Sequence, residues 1–135
     1  MKMTDENIIF SSMVIIDDHI AYIGDDYEQL NFAGGYDHNF CVRGYDGTLR
    51  KVATVWAAKS SRVMEVYSDL PGVQFYAGNF IAEGQVGKEG AVFNKRYGLC
   101  LETQFYPDAI HHENFQSPVF GPERSLDTTT IYAFK

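Results

Sequence analysis

Residues 62–76, RVMEVYSDLPGVQFY, decide the fold class that this sequence predicts. Residues 63–67 and 73–76 read as β-strands, because Val, Tyr and Phe fit a pleated, half-buried surface. Between them, Leu70-Pro71-Gly72 is a turn signal. Short extended runs bounded by turn residues recur along the chain, and long helical periodicity is absent. We therefore predict an all-β protein built from antiparallel sheets.

The clearest hairpin signal lies upstream, where the extended runs 40–44 and 49–57 flank Asp46-Gly47. An Asp-Gly pair between two such runs is typical of a hairpin turn, so we predict that the two runs pair with each other. The most loop-like segment is 82–90, AEGQVGKEG. We expect further strands at residues 99–105 and 128–135.

Length, charge and cysteine content restrict the function classes. The 135 residues suffice for one domain with one modest core. The chain has 11 Lys and Arg against 18 Asp and Glu, a formal net charge of -7. Because phosphate binding needs clustered cations, this balance argues against a nucleic-acid partner. Cys41 and Cys100 lie in apolar strand-like runs, which predicts buried free thiols and a reducing compartment.

The N-terminal segment is a weak match to a secretory signal. Asp5 and Glu6 outweigh Lys2, and no small-residue cleavage site follows the apolar residues 8–16. That run is also far shorter than the roughly 20 apolar residues of a membrane helix. We therefore expect a soluble, cytoplasmic chain with no membrane partner.

Glu102 lies in the middle of the strand-like run 99–105, where glutamate is unusual. Strand alternation places it on one face with Gln104. Periodicity alone favours a solvent-facing polar face, and the alternative is a carboxylate that acts on a ligand. Gln74 and Tyr76 share a face of another strand in the same way. Glutamine, tyrosine and glutamate together suit a sugar, whose hydroxyls need donors and acceptors and whose CH groups pack on aromatic rings.

Two other polar clusters have less specific patterns. Asp37, His38 and Asn39 follow a glycine pair that can bend the chain sharply, which predicts either a turn followed by a strand or a ligand-contacting loop. His111 and His112 are adjacent, so on a strand they point to opposite faces. No Cys or Asp at zinc-site spacing accompanies them, and we predict no metal site.

Four motifs in this order make the sequence resemble a known family. They are GGYDHNF at 34–40, PGVQFYAGNF at 71–80, CLETQFYPDA at 100–109 and TTTIYAF at 128–134. Together they are similar to the C-terminal part of the aldose 1-epimerase (galactose mutarotase) family. The resemblance starts at about Tyr22. We therefore predict a single partial domain over 1–135, with an unmatched segment, 1–21, and a mutarotase-like part, 22–135.

The resemblance implies both a fold and an activity. The fold is an antiparallel β-sandwich of the galactose mutarotase type, here a partial supersandwich. The activity is interconversion of the α and β anomers of aldohexoses such as galactose and glucose. In that family the glutamate of LETQ is the general base, here Glu102. The aspartate of GYDHNF and the glutamine of PGVQFY contact sugar hydroxyls, here Asp37 and Gln74. Ring opening needs an acid and a base but no cofactor.

The resemblance does not supply the general acid. In the family this is a histidine of an NHxYFNL-like motif in the N-terminal half, and His19 lacks that context. Two functions therefore stay open: an epimerase whose acid comes from elsewhere, and a non-catalytic carbohydrate-binding or interaction module on the same scaffold. A hexose-phosphate epimerase ranks last, because Arg43, Arg62 and Lys88 are few basic residues for a phosphate.

A shortened sandwich would leave sheet edges without partners. Unpaired edges and uncovered faces tend to pair with another chain. The resemblance therefore also predicts self-association or a complementing chain that covers these edges.

Overall fold

The computed structural model describes the backbone of residues 6–10 and 14–16 and all of residues 28–57 and 60–135. In chain order the elements are β1 (Glu6–Phe10), β2 (Val14–Ile16), α1 (Glu28–Ala33), β3 (Asp37–Cys41), β4 (Arg50–Ala57), β5 (Arg62–Ser68), β6 (Gly72–Tyr76), β7 (Gln85–Val86), β8 (Val92–Phe93), β9 (Cys100–Gln104) and β10 (Thr130–Phe134). Short 3-10 turns occupy Lys88–Gly90 and Ala109–His111. His19 lies outside the described residues.

The strands form antiparallel sheets. The larger sheet has the order β10-β5-β4-β1-β2, the smaller sheet has the order β3-β6-β9, and β7 pairs with β8 in a separate hairpin. Every pairing between the described strands is antiparallel. The predicted all-β class is therefore confirmed. Within the described parts of the chain, no helix has the length and apolar character to cross a membrane.

The two main sheets pack face to face around one apolar core. Val55 and Val66 enter it from the larger sheet, and Val73, Phe75 and Leu101 enter it from the smaller one. Each of these side chains is 3% exposed or less. The alternation predicted for β6 and β9 is confirmed, because their apolar residues face this core and the residues between them face outward.

A β-bulge adjusts β4 to the core. The register of β4 against β5 shifts between Lys51 and Ala53. As a result, the consecutive residues Val52 and Ala53 both belong to the same core, whereas in a regular strand successive side chains point to opposite faces. Local irregularity thus adds an apolar side chain to the sandwich interior.

The predicted pairing of residues 40–44 with 49–57 is wrong. The turn itself forms, since the Thr48 amide donates to Asp46 Oδ1 over 2.9 Å. However, β3 pairs with β6, whereas β4 pairs with β5 and β1. The chain between β3 and β4 therefore crosses from one sheet to the other, because the apolar faces of these two strands pack against the core from opposite sides.

Two side-chain contacts join the sheets at one edge. The Tyr132 hydroxyl on β10 donates to the Leu101 carbonyl on β9 over 2.6 Å. Beside it, the hydroxyls of Thr103 and Thr130 lie 2.5 Å apart. These bonds fix the edge strand of the larger sheet to the edge strand of the smaller one.

An ion-pair cluster lies on the outer face of the larger sheet. Glu65 accepts from Lys135 over 2.6 Å, from Lys51 over 3.0 Å and from the Tyr67 hydroxyl over 2.9 Å. These donors, Lys135 first, lower the pKa of Glu65 to about 2. Glu65 is therefore ionised at neutral pH although only 9% of the residue is exposed.

Candidate functional site

The register of the smaller sheet gathers the predicted site residues. Gln74 on β6 lies directly between Asn39 on β3 and Glu102 on β9. Asp37 is two residues from Asn39, on the same face of β3. Neighbouring strands are about 4.8 Å apart. The three predicted residues, Asp37, Gln74 and Glu102, therefore belong to one cluster on the outward side of the sheet.

We call this surface the polar face. It comprises the outward-facing residues of three strands, which are Asp37, Asn39 and Cys41 on β3, Gly72, Gln74 and Tyr76 on β6, and Cys100, Glu102 and Gln104 on β9. The opposite side of the same strands carries Val73, Phe75 and Leu101 into the core. A rigid, packed sheet thus supports the polar groups from behind.

Asp37 and Gln74 are in direct contact. Gln74 Nε2 donates to Asp37 Oδ1 over 2.8 Å. Both side chains are partly exposed, so the second carboxylate oxygen and the second amide hydrogen are available to a ligand. Such a donor and acceptor pair is suited to a sugar diol.

Glu102 has a different environment. The residue is exposed, and it forms no hydrogen bond or ion pair with another residue in the ranges 28–57 and 60–135. A carboxylate with unoccupied lone pairs at the cross-strand position next to Gln74 is positioned to accept a proton from a bound ligand.

An amide network connects the three strands across the polar face. Gln104 Nε2 donates to Asn39 Oδ1 over 3.0 Å and to Gln74 Oε1 over 3.3 Å. Strand alternation predicted that Gln104 shares a face with Glu102, but nothing in the sequence marked Gln104 as a site residue. Its two hydrogen-bond partners lie 30 and 65 residues away, so the local sequence indicates only its position two residues after Glu102.

An aromatic pair lies at one end of the polar face. The rings of Tyr76 and Phe80 are stacked, with centroids 6.4 Å apart and an interplanar angle of 17°. The Tyr76 hydroxyl accepts the Phe80 amide over 2.8 Å, which fixes the loop after β6. Phe80 is 73% exposed and presents a flat apolar surface beside the polar groups.

The start of β3 is held in place by a glycine turn. Gly34 and Gly35 have positive φ angles of 65° and 138°, and β3 begins two residues later at Asp37. A β-carbon at Gly35 would lie 2.2 Å from Asn79 Oδ1, so the close approach requires glycine. Asn79 in turn donates to the Tyr36 carbonyl over 2.9 Å. The interpretation of GGYDHNF as a turn followed by a strand is confirmed.

The two cysteines are free, as predicted, but the prediction that they are buried is wrong. Both are exposed on the polar face, because they alternate with the residues that enter the core. Partial burial raises the pKa of Cys100, and the nearby Glu102 and Asp37 carboxylates raise it further. Cys100 is therefore a neutral thiol at physiological pH.

None of the histidines that the structure describes forms a hydrogen bond with Glu102. His38 is on the core side of β3, where its Nδ1 accepts the Asp37 amide over 3.1 Å. His111 and His112 lie at the end of a 3-10 turn, and both contact Asp108. Within residues 28–57 and 60–135, no group of three or more His, Cys, Asp or Glu is arranged to hold a metal ion.

Comparison with known proteins agrees with the four motifs. A family model described as Aldose 1-epimerase matches residues 4–133. Galactose mutarotase from Homo sapiens is 46% identical over 100 residues, and that from Mus musculus is 44% identical over 101. Aldose 1-epimerase from Escherichia coli (strain K12) is 31% identical over 102 residues. Each alignment covers 74% of this chain and 29% of the relative.

The chain thus matches less than a third of the length of these curated relatives. The family model starts upstream of Tyr22, and the division of the chain at that residue stays a prediction. The resemblance inferred from the sequence is confirmed. Because the family model matches nearly all of the residues, the chain belongs to the aldose 1-epimerase family.

Proposed function

We propose that the polar face binds an aldohexose such as galactose or glucose and supplies the general base of an aldose 1-epimerase. The observation that carries this proposal is the convergence of Asp37, Gln74 and Glu102 on one face, through the pairing of β3, β6 and β9. Family membership supports the reaction class. No cofactor takes part in this proposal.

Glu102 is the proposed base. Its carboxylate removes the proton from the anomeric hydroxyl, the C1–O5 bond breaks as the C1–O1 double bond forms, and an acid gives a proton to O5. The open-chain aldehyde rotates about C1–C2. The same transfers in reverse close the ring with the other configuration at C1. An exposed carboxylate without a competing partner among the described residues suits this role.

Asp37 and Gln74 are the proposed contacts to sugar hydroxyls, through the groups that their mutual hydrogen bond leaves free. The stacked pair of Tyr76 and Phe80 offers a flat surface to the CH groups of the ring. The polar and apolar sides of a hexose thus have separate partners.

In this proposal the acid comes from outside the described residues, because none of the described histidines belongs to the polar face: His38 lies on the core side of β3, and His111 and His112 contact Asp108. We propose that a complementing chain or a second copy covers the open edges of the smaller sheet and supplies it. β3 and β9 are the outer strands of that sheet in the described structure. We expect sedimentation velocity to show an assembly larger than the 15.3 kDa monomer, and a strictly monomeric, active chain would contradict this part of the proposal.

Polarimetry of freshly dissolved α-D-galactose tests the reaction. We expect the wild-type chain, with its partner where one is needed, to accelerate the optical change. Glu102→Gln should lower the catalysed rate at least about 100-fold, since general bases contribute roughly 10²–10⁴-fold. Glu123→Gln, which makes the same change at an exposed residue of the C-terminal loop, is the matched control. Equal rates for wild type and Glu102→Gln would show that Glu102 is not the base.

A non-catalytic carbohydrate-binding module is the second candidate function. The placement of the three described histidines outside the polar face favours it, because none of them belongs to the surface that would hold the sugar. The expected result is that galactose shifts the amide signals of the polar face in an NMR titration while polarimetry shows no acceleration. An accelerated optical change would exclude this candidate.

We also propose a cytoplasmic location. The two exposed and unpaired thiols, Cys41 and Cys100, support it, because such thiols persist in reducing compartments. Fractionation of cells that express the tagged chain should recover it in the cytosol with both thiols reactive to maleimide. Recovery from the medium with oxidised cysteines would contradict this location.

A further inference from the structure

Gln104 occupies a junction that the proposed function does not use. Its Nε2 group donates to Gln74 Oε1 over 3.3 Å and to Asn39 Oδ1 over 3.0 Å. The first of these partners is itself bonded to Asp37. One amide therefore links β9 to both other strands of the smaller sheet.

The direction of these bonds determines how Gln74 is oriented. A glutamine amide has one oxygen that accepts and one nitrogen that donates. Because Gln104 donates to the oxygen of Gln74, the nitrogen of Gln74 is turned to Asp37. A flipped amide would place two oxygens, those of Gln74 and Asp37, against each other. Gln104 thus acts on Asp37 through Gln74.

Gly72 makes room for this arrangement. It lies on β6 directly opposite Gln104, and Asn39 extends over it toward β9. A β-carbon at this position would lie 2.5 Å from Asn39 Oδ1. The backbone of Gly72 lies outside the positive-φ region, so the requirement here is space and not conformational freedom.

We infer that Gln104 is a positioning residue for the sugar contacts, holding the Gln74 amide in the one orientation that pairs with Asp37. The expected effect on sugar affinity rests on the proposed function. The effect of Gln104 on the orientation of the Gln74 amide does not depend on that function. Asn39 and Gly72 support this arrangement. Asn39 accepts a hydrogen bond from Gln104, and Gly72 leaves the space that the Asn39 side chain needs to form it.

Gln104→Glu is the sharpest test, because it keeps the size and shape of the side chain and removes its donor. At pH 7 the introduced carboxylate only accepts hydrogen bonds. It therefore repels the oxygen of Gln74 and competes with Asp37 for the nitrogen of Gln74, which weakens the bond between Gln74 and Asp37. We expect the side-chain NH₂ signals of Gln74 to shift in a ¹H–¹⁵N spectrum. We also expect affinity for galactose to fall about tenfold, the effect of losing one well-formed hydrogen bond.

Gln85→Glu is the matched control. It makes the same chemical change on the exposed strand β7, outside the polar face. The Gln74 signals and the galactose affinity should stay at wild-type values in this variant. A shift of equal size in both variants would mean that charge alone is responsible, and the inference would be wrong.

Gly72→Ala tests the same hydrogen-bond arrangement without changing Gln104 itself. The added methyl group should displace the Asn39 amide and weaken the bond to Gln104, giving a smaller shift of the Gln74 signals in the same direction. Unshifted Gln74 signals in both Gln104→Glu and Gly72→Ala would overturn the positioning role. If wild type binds no galactose, the proposed function fails, and the Gln74 signals alone then decide the inference.

Discussion

Phe75 holds the central strand of the candidate site against the larger sheet, and its truncation should be costly. The side chain is 0% exposed and lies on β6 between Gln74 and Tyr76. A buried phenylalanine removes roughly 150–250 Å² from water, worth about 4–6 kcal/mol at 25 cal/mol per Å². Alanine keeps the β-carbon, and measured Phe→Ala changes in cores cost about 3–5 kcal/mol. We expect Phe75→Ala to lower the free energy of unfolding by about 4 kcal/mol.

Urea titration followed by the fluorescence of Trp56, the single tryptophan, measures this loss. With a slope of about 2 kcal/mol per molar urea, the midpoint should fall by about 2 M. Phe32→Ala is the control, because Phe32 is 75% exposed and its truncation should change stability by less than about 0.5 kcal/mol. Phe75→Leu, expected to cost about 1 kcal/mol, covers the case in which alanine prevents folding. A loss for Phe75→Ala no larger than that for Phe32→Ala would refute the two-sheet core.

Two further predictions concern ionisable groups outside the site. The pKa of Glu65 is lowered from 4.5 to about 2, chiefly by Lys135, so its stabilising effect is complete above about pH 4.5 and disappears as the pH falls toward 2. The melting temperatures of wild type and Lys135→Met should therefore differ at pH 7 and converge toward pH 2, and a difference independent of pH would argue against the ion pair. Tyr132→Phe should cost about 1 kcal/mol at pH 7 through the lost bond to the Leu101 carbonyl. Burial chiefly raises the pKa of Tyr132, so this difference should shrink only at strongly alkaline pH, and equal thermal melts at pH 7 would contradict the bond.

The sequence allowed the direction of side chains to be predicted well. Alternation in the strands around Gln74 and Glu102 requires only local periodicity, and the structure confirms which residues face the core. Strand partners were harder to predict. The turn at Asp46 forms, yet the strands that flank it belong to different sheets. A local turn signal cannot reveal a crossover, because the burial of distant strands decides it.

The same distinction applies to the site. Resemblance identified Asp37, Gln74 and Glu102 by their motifs, and the structure brings them together, although their roles stay proposals. Gln104 was not predicted as a site residue, because its hydrogen bonds are to residues far away in sequence. The exposure of Cys100 was not predicted either, because an apolar run does not indicate which face of the strand is exposed to solvent.

The long-range connections of the polar face have a consequence for folding. Its hydrogen bonds join residues that are 37, 30 and 65 positions apart. Closing such loops costs chain entropy before any contact forms, so structure of this kind arises late and slowly. By contrast, β4 and β5 are adjacent in sequence and can pair early. Sugar binding would then require that β3, β6 and β9 have already paired, and a bound hexose would report that these long loops have closed.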